Sequence, residues 1–316
     1  MVNSDRMLVV PEGAQVPEGL DRDIVVVQQP LSHIYLAATS AMALLDSIDA
    51  LDRITFVGSR NWYNEIAAQA LKNGSFTYAG KYNAPDYEML INGGCQLAIE
   101  STMILHNPEV KEKMLELGIK TVVERSSYEE HPLGRTEWVK VYGTMLGLED
   151  AADAVFRAEL EKVRPLESLA PTGKTVAFFF INSNGSVVTY KSTGYVSEML
   201  RIAGGEYIFP DLGKTDESNL STVNMNMEEF YNTAKDADVI IYNCSSMGAP
   251  LHTLAEFLSL NPVLEDFKAV EQAQVWCTAE SMFQQTDKMG TIMQEMNTIF
   301  TGSAQDGELT YFFKLK

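Results

Sequence analysis

Short apolar runs alternate with segments of helical apolar spacing along the first half of this 316-residue chain. "DIVVVQQP" and "RITFVGS" read as buried strands, whereas "SHIYLAATSAMALLDSIDAL" and "NEIAAQALKNG" place apolar residues at helical intervals. "NPEVKEKMLELGIKTVVE" predicts a helix that begins at a proline, ends at Gly118 and is followed by a strand. Alternation at this pace indicates a parallel or mixed sheet with helices on both faces.

The second half of the chain repeats this design. "GKTVAFFFINS" predicts a strand, and "GYVSEMLRIAGG" a helix closed by Gly204 and Gly205. "NMNMEEFYNTAKDADVIIYNCS" predicts a helix and then a strand, and "QTDKMGTIMQEMNTIFTG" a closing helix. We therefore expect an α/β protein with two Rossmann-like lobes and mainly parallel sheets.

A long helix is predicted between the halves, in "LEDAADAVFRAELEKVRPLESL". Ala152, Phe156 and Val163 share its apolar stripe, and Pro165 is expected to end it after about 22 Å. Such a rigid connector would leave a ligand cleft between the lobes that closes little. The predicted organisation is a flexible N-terminal segment, an N-terminal lobe, the connecting helix and a C-terminal lobe, at 1–22, 23–147, 148–170 and 171–316.

Charge and composition exclude several classes of partner. With 24 Lys and Arg against 43 Asp and Glu, the net charge of −19 argues against a nucleic-acid partner and against adsorption on anionic lipid. Cys95, Cys244 and Cys277 are far apart and are expected to be buried free thiols. The four histidines show no metal-ligand spacing, so no metal site is predicted.

No run approaches the roughly 20 apolar residues that span a bilayer. The start "MVNSDRMLVVPEG" has no apolar signal-peptide core, so an export leader is expected to be absent from this sequence.

The order of several segments resembles the substrate-binding proteins of ABC importers for iron–siderophore complexes, haem and cobalamin, the class with a helical spine. These segments include "VVVQQPLSHIYLAATSAMALL", "YNAPDYEMLINGGCQLAIE", "HPLGRTEWVKVYGTMLG", "GYVSEMLRIAGGEYIFPDLG" and "DFKAVEQAQVWCT". The resemblance covers nearly all of the chain from about Asp23. The proline-acid pair usual before a strand of each lobe is missing, since "GGCQLAI" and "DADVII" stand there.

The resemblance implies an extracytoplasmic or lipid-anchored monomer that delivers a metal chelate to an ABC permease and its ATPase. A ferric siderophore or haem is the expected ligand and cobalamin the alternative, with no intrinsic cofactor and no catalysis. Glu88 and Glu228 match the surface carboxylates, one on each lobe, that dock such proteins on the permease. Without the resemblance, Glu88 and Glu228 would be interpreted as solvated carboxylates at helix starts, where the helix dipole favours negative charge.

Ligand contacts are expected on loops at strand ends. "GSRNWYN" places a guanidinium, an amide and two aromatic rings in one turn, which suits a flat anionic chelate. Each candidate residue, taken alone, would also fit an ordinary role in a loop or in packing. The candidates are His33, Arg60, Asn61, Trp62, Tyr63 and Met103 in the first lobe, and Tyr190, Lys191, Tyr195, Met247 and Phe283 in the second.

The stretch "EEHPLGRTEWVKVYGTMLG" adds a further candidate. Pro132 and Gly134 are expected to form a turn, with Thr136 as the N-cap of the next helix. Arg135 is then a candidate for an anionic ligand group or for an ion pair between the lobes.

A two-lobed enzyme such as a glycosyltransferase is the alternative from another class. Neither G-x-G-x-x-G after the first strand nor a P-loop is present, and no nucleophile elbow is found.

Overall fold

The computed structural model describes residues 6–216, 220–246, 251–305 and 307–316. These residues fall into two compact units. The first unit comprises Met1–Ser126, Thr136–Arg157 and Gln284–Asp287, and the second comprises Ser127–Arg135, Ala158–Phe283 and Lys288–Lys316.

A parallel sheet forms the centre of the first unit. The strands of this unit are β1 (Arg6–Val10), β2 (Ile24–Gln28), β3 (Ile34–Leu36), β4 (Ile54–Val57), β5 (Thr77–Tyr78), β6 (Gly80–Lys81), β7 (Ala84–Pro85), β8 (Leu97–Ser101) and β9 (Lys120–Glu124). The central sheet has the order β5-β4-β3-β8-β9 with every pair parallel, whereas β1 pairs with β2, and β6 with β7, in separate two-stranded sheets.

The start of the sheet differs from the prediction. "DIVVVQQP" contains β2, which lies outside the central sheet. The first central strand is β3, within a segment predicted as helix. Its three residues are all fully buried, so they show no alternation that could distinguish a strand from a helix.

The first unit contains short helices, two of which begin at side-chain caps. They are α1 (Ala41–Asp46), α2 (Glu65–Asn73), α3 (Tyr87–Asn92) and α4 (Pro108–Glu116). The side chain of Asn64 accepts a hydrogen bond from the Ala67 amide at the start of α2, and Asp86 accepts one from the Met89 amide at the start of α3. Gly74 ends α2 in the left-handed region, with a φ of 84°.

Two longer helices follow β9 along the chain: α5 (Pro132–Leu146) and α6 (Glu149–Glu167). The predicted turn before α5 is wrong, because the helix already begins at Pro132, the position where proline fits best. Thr136 is therefore not the N-cap; its hydroxyl donates to the carbonyl of Thr286 at 2.9 Å. Pro165 does not end α6 but lies within its last turn.

The second unit has a mixed sheet. Its strands are β10 (Lys174–Ile181), β11 (Val187–Tyr190), β12 (Gly205–Tyr207), β13 (Thr222–Met225), β14 (Val239–Tyr242), β15 (Val275–Thr278) and β16 (Phe312–Lys314). The order is β13-β11-β10-β14-β15-β16, and β12 also pairs with β10. β10 is parallel to β12 and β14, and β14 to β15, whereas β11 and β16 add antiparallel pairs.

The helices of the second unit are α7 (Tyr195–Ile202), α8 (Met227–Ala234), α9 (Leu254–Ser259), α10 (Lys268–Glu271) and α11 (Met289–Thr301). Residues of α8, α9 and α10 pack in an aromatic core. The rings of Phe179 and Phe230 lie 4.3 Å apart between their centroids, and Phe257 and Tyr242 complete the contact. Through the ranges that the structure describes, no helix is both long and apolar enough to cross a bilayer.

Candidate functional site

A pocket of about 490 Å³ lies in the first unit, and we call it the first-unit pocket. Ala37 follows β3, Gly58 follows β4, and Ser101 ends β8, so the pocket lies at the carboxyl ends of three parallel strands. Ligands of open α/β sheets bind at this edge. The pocket is lined by Ala37, Thr39, Gly58, Ser59, Arg60, Asn61, Tyr78, Lys81, Tyr82 and Ser101.

The walls of the first-unit pocket depend on close backbone approach. A Cβ on Gly58 would lie 2.9 Å from the Cα of Ala37, so only glycine lets the turns after β3 and β4 meet. The hydroxyl of Tyr35 donates to the carbonyl of Gly80 at 3.0 Å and holds the turn after β5. Burial raises the pKa of Tyr35 and keeps this donor protonated.

Positive charge and aromatic rings face this pocket together. The guanidinium of Arg60 lies 3.9 Å from the ring centroid of Tyr78, within cation–π distance. Lys81 adds a second cation and Tyr82 a second phenol. No carboxylate is present among the described residues that line the pocket. In a chain of net charge −19, this local composition favours an anionic, partly aromatic ligand.

Of the four residues predicted from "GSRNWYN", Arg60 and Asn61 line the first-unit pocket. Trp62 is buried in the core, and its Nε1 donates to the carbonyl of Ser59 at 3.0 Å, so it supports the loop. Tyr63 is exposed, and its backbone amide donates to Oε1 of Gln284 at 3.2 Å.

His33 and Met103 lie away from the first-unit pocket. His33 precedes β3, at the amino end of that strand, and its Nδ1 is 2.8 Å from the hydroxyl of Ser32. Met103 is exposed in the turn after β8. Ligand roles for these two residues stay predictions.

In the second unit, Phe178, Tyr190 and Phe283 form what we call the aromatic cluster. Tyr190 stacks on Phe283 with centroids 6.1 Å apart, and the ring of Phe178 meets both edge-on. Asn243 donates to the hydroxyl of Tyr190 at 2.7 Å. Burial raises the pKa of Tyr190, so the phenol stays neutral.

Arg135 is buried in the second unit beside Tyr195. Its guanidinium carbon lies 4.2 Å from the ring centroid of Tyr195. Burial raises the pKa of Tyr195, and the charge and hydrogen bond of Arg135 offset part of the rise. The Nε and Nη1 atoms of Arg135 are buried without a hydrogen-bond partner in the described part of the chain. A buried cation in this state is costly unless an anion completes its contacts.

Lys191 and Tyr195 border a smaller pocket of about 240 Å³ in the second unit. The Nζ of buried Lys191 lies 3.0 Å from a carboxylate oxygen of Asp216, so its charge is already paired. Met247 lies outside the described residues.

Glu88 and Glu228 occupy the same position in two helices. Each is exposed and is the second residue of its helix, after Asp86 at the cap of α3 and Asn226 at the cap of α8. Where the chain is described, no group of three or more His, Cys, Asp or Glu side chains is arranged to hold a metal ion.

The chain belongs to the family described as Periplasmic binding protein, whose sequence model matches residues 37–281. The α/β class and the resemblance to this class of binding proteins are thus confirmed. An uncharacterized lipoprotein of Methanocaldococcus jannaschii is 27% identical and aligns over 96% of this chain and 73% of its own length.

Solved structures show the same fold. A periplasmic heme-binding protein from Pseudomonas aeruginosa superposes with a TM-score of 0.68 at 13% identity, covering 90% of this chain and 98% of that one. The petrobactin-binding protein of Bacillus subtilis gives a TM-score of 0.66 at 11% identity, covering 85% and 92%.

Sequence reasoning missed most of the pocket lining. Tyr78, Lys81 and Tyr82 all come from "FTYAGKYN", a segment that follows α2. Its two tyrosines and one lysine in five positions resemble "GSRNWYN" in composition, and this signal would have identified them.

Proposed function

We propose that this protein captures an anionic metal chelate, a ferric siderophore or haem, and delivers it to the permease of an ABC importer. The first-unit pocket carries the proposal. It combines two cations, two phenols and no lining carboxylate among the described residues, at the strand edge where ligands bind. Its volume of about 490 Å³ lies within the range of small-molecule sites.

Arg60 supports the choice of an anionic ligand. Its guanidinium is exposed, so it is held by the Tyr78 face while its N–H groups remain available to oxygen atoms. Catecholate, carboxylate and propionate oxygens are acceptors that match such a fork. The Tyr78 and Tyr82 rings supply the flat surface on which a conjugated ligand packs.

The second unit contains a separate cationic group that could bind an anion. Arg135 is buried with two unpartnered guanidinium nitrogens beside Tyr195, and we propose that a ligand oxyanion completes its contacts. Tyr190 and Phe283 would contribute apolar ring surface, whereas Lys191 is already paired with Asp216 and is a weaker candidate.

Delivery to a permease would use Glu88 and Glu228. Their equivalent helix positions and their exposure suit two weak, salt-sensitive contacts, which a carrier needs if it is to dissociate after delivery. An extracytoplasmic, lipid-anchored location is supported by the lipoprotein relative.

Intrinsic fluorescence quenching tests the ligand. The protein is titrated with a ferric catecholate siderophore, a ferric hydroxamate siderophore, haem and cobalamin. We expect at least one anionic chelate to bind more tightly than about 10 µM, or about −7 kcal/mol. Binding of cobalamin alone would establish the alternative ligand, and failure of every chelate would contradict the proposal.

Charge-removal variants then test the site. Arg60→Ala and Lys81→Ala should each weaken an anionic chelate about 10-fold, the loss of one charge-assisted contact. Lys72→Ala is the matched control, because Lys72 is exposed on α2 and does not line the pocket. Equal losses in all three variants would indicate a general charge effect and place the ligand elsewhere.

A further inference from the structure

Two cysteines that are far apart in the sequence come together in the second unit. Cys277 lies on β15, and Cys244 begins the turn directly after β14, the parallel neighbour of β15. Tyr242 is opposite Cys277 in the register, so Cys244 comes two residues past that pairing. The backbone amide of Cys244 donates to the hydroxyl of Thr278 at 3.1 Å, which fixes the turn beside Cys277.

The two thiols lie in the same surroundings. Both are free and are buried in the same hydrophobic cluster. The neighbouring Cys277 thiol lowers the pKa of Cys244, and the backbone amide of Leu251 adds to the effect. The neighbouring Cys244 thiol and burial raise the pKa of Cys277. Cys244 is therefore the thiol that ionises first and acts as the nucleophile.

We propose that Cys244 and Cys277 are a disulfide-forming pair that closes when the chain folds under oxidising conditions. Cys95 is excluded from this pair because it lies in the first unit, where its thiol donates to the carbonyl of Leu97 at 3.5 Å. The inference does not rest on the proposed ligand.

The oxidation is a thiol–disulfide exchange with a small external disulfide such as oxidised glutathione. The Cys244 thiolate attacks one sulfur of that disulfide, forms a mixed disulfide and releases one thiolate. The thiol of Cys277 loses its proton and attacks Cys244 Sγ, which displaces the second thiolate. Two electrons and two protons leave the protein, and the external disulfide becomes two thiols.

Burial decides when this exchange takes place. In the folded chain both thiols are shielded from solvent, so bulky disulfides reach them slowly. During folding they are accessible, and native packing then brings them together. Closure is therefore coupled to folding rather than to later exposure to oxidant.

The disulfide would also restrain the aromatic cluster. Asn243, the neighbour of Cys244, accepts a hydrogen bond from the Thr278 hydroxyl at 3.4 Å and donates to the Tyr190 hydroxyl at 2.7 Å. Tying the end of β14 to β15 therefore fixes the residue that orients Tyr190.

Refolding in a defined redox buffer tests the pairing. Reduced, denatured wild-type protein is refolded with reduced and oxidised glutathione, quenched in acid, alkylated after denaturation and mapped by peptide mass spectrometry. We expect a monomer with a 244–277 cross-link, an alkylated Cys95 and a mass lower by about 2 Da before alkylation, from two lost hydrogens.

Single-pair variants make the result specific. Cys95→Ser should still lose both remaining thiols, whereas Cys95→Ser combined with Cys244→Ser should keep its one thiol. If Cys95→Ser does not fold, the wild-type map alone decides. Three alkylated thiols after full equilibration, a cross-link to Cys95, or dimers as the only oxidised product would each overturn the proposal.

Discussion

Glu100 provides a direct test of how burial controls stability in the first unit. It lies on β8 and is fully buried, and both carboxyl oxygens lack a hydrogen-bond partner among the described residues. Leu97 and Ile99 face one cluster of the core, so Glu100 faces the other with Ala98. Burial raises the pKa of Glu100 from 4.5 to about 8.

The sign and size of the effect follow from proton linkage. Because the folded chain holds this proton more tightly than the unfolded chain, the contribution of Glu100 to stability is fully present below pH 4.5 and is lost as the pH rises towards 8. A shift from 4.5 to about 8 corresponds to a total of about 5 kcal/mol, at 1.36 kcal/mol per pH unit. Between pH 5.5 and 7.5 the expected loss is about 2.7 kcal/mol.

Glu100→Gln replaces the titrating group with a neutral one of the same shape. Urea unfolding of the wild type and the variant at pH 5.5, 6.5 and 7.5 gives the difference between their free energies of unfolding. The contributions of the other titrating groups are the same in both proteins and cancel in this difference. We expect the free energy of unfolding of the variant, relative to the wild type, to rise by about 1.4 kcal/mol per pH unit. Glu112→Gln, at an exposed position of α4, should show no such slope. Parallel curves for wild type and Glu100→Gln would refute the reasoning.

Three further predictions concern other parts of the chain. Arg135→Ala should weaken an anionic chelate at least about 10-fold in titration while leaving the urea midpoint unchanged or higher, because an unpaired buried cation is removed; unchanged affinity would assign the residue a structural role. Reversing Glu88 and Glu228 to Lys should abolish uptake into cells or vesicles with ligand affinity intact, and normal uptake would remove the docking role. Gly93→Ala should destabilise by about 1–3 kcal/mol in urea, since the added Cβ would lie 2.2 Å from Phe56 Cζ; an unaltered midpoint would mean that the Phe56 ring moves freely.

The sequence predicted the layered fold because the apolar spacing of its helices and strands is regular and because glycine and proline mark the helix boundaries. Gly74 and Pro108 lie at helix boundaries, as expected. Several short strands were not predicted, among them β3, β11 and β16. β3 is too short and too uniformly apolar to show a period, and β11 and β16 join the sheet in an antiparallel sense that local spacing does not encode.

The candidate site was predicted less completely, because side chains meet through tertiary packing. Arg60 was found since its turn concentrates polar and aromatic groups, but Trp62 from the same turn faces the core. The contact between Cys244 and Cys277 depends on which strands are neighbours. No pattern in the sequence specifies that β14 lies next to β15.

The basic lining of the first-unit pocket within an acidic chain has a consequence for binding kinetics. At a distance, an anionic chelate meets the repulsion of the net charge of −19, and only near the pocket does it meet Arg60 and Lys81. The repulsion extends about 30 Å at 0.01 M salt but only about 8 Å at 0.15 M. Added salt should therefore raise the association rate by removing the long-range barrier, and raise the dissociation rate by weakening the final contacts. Affinity would then be greatest at an intermediate ionic strength, unlike that of a carrier whose whole surface attracts its ligand.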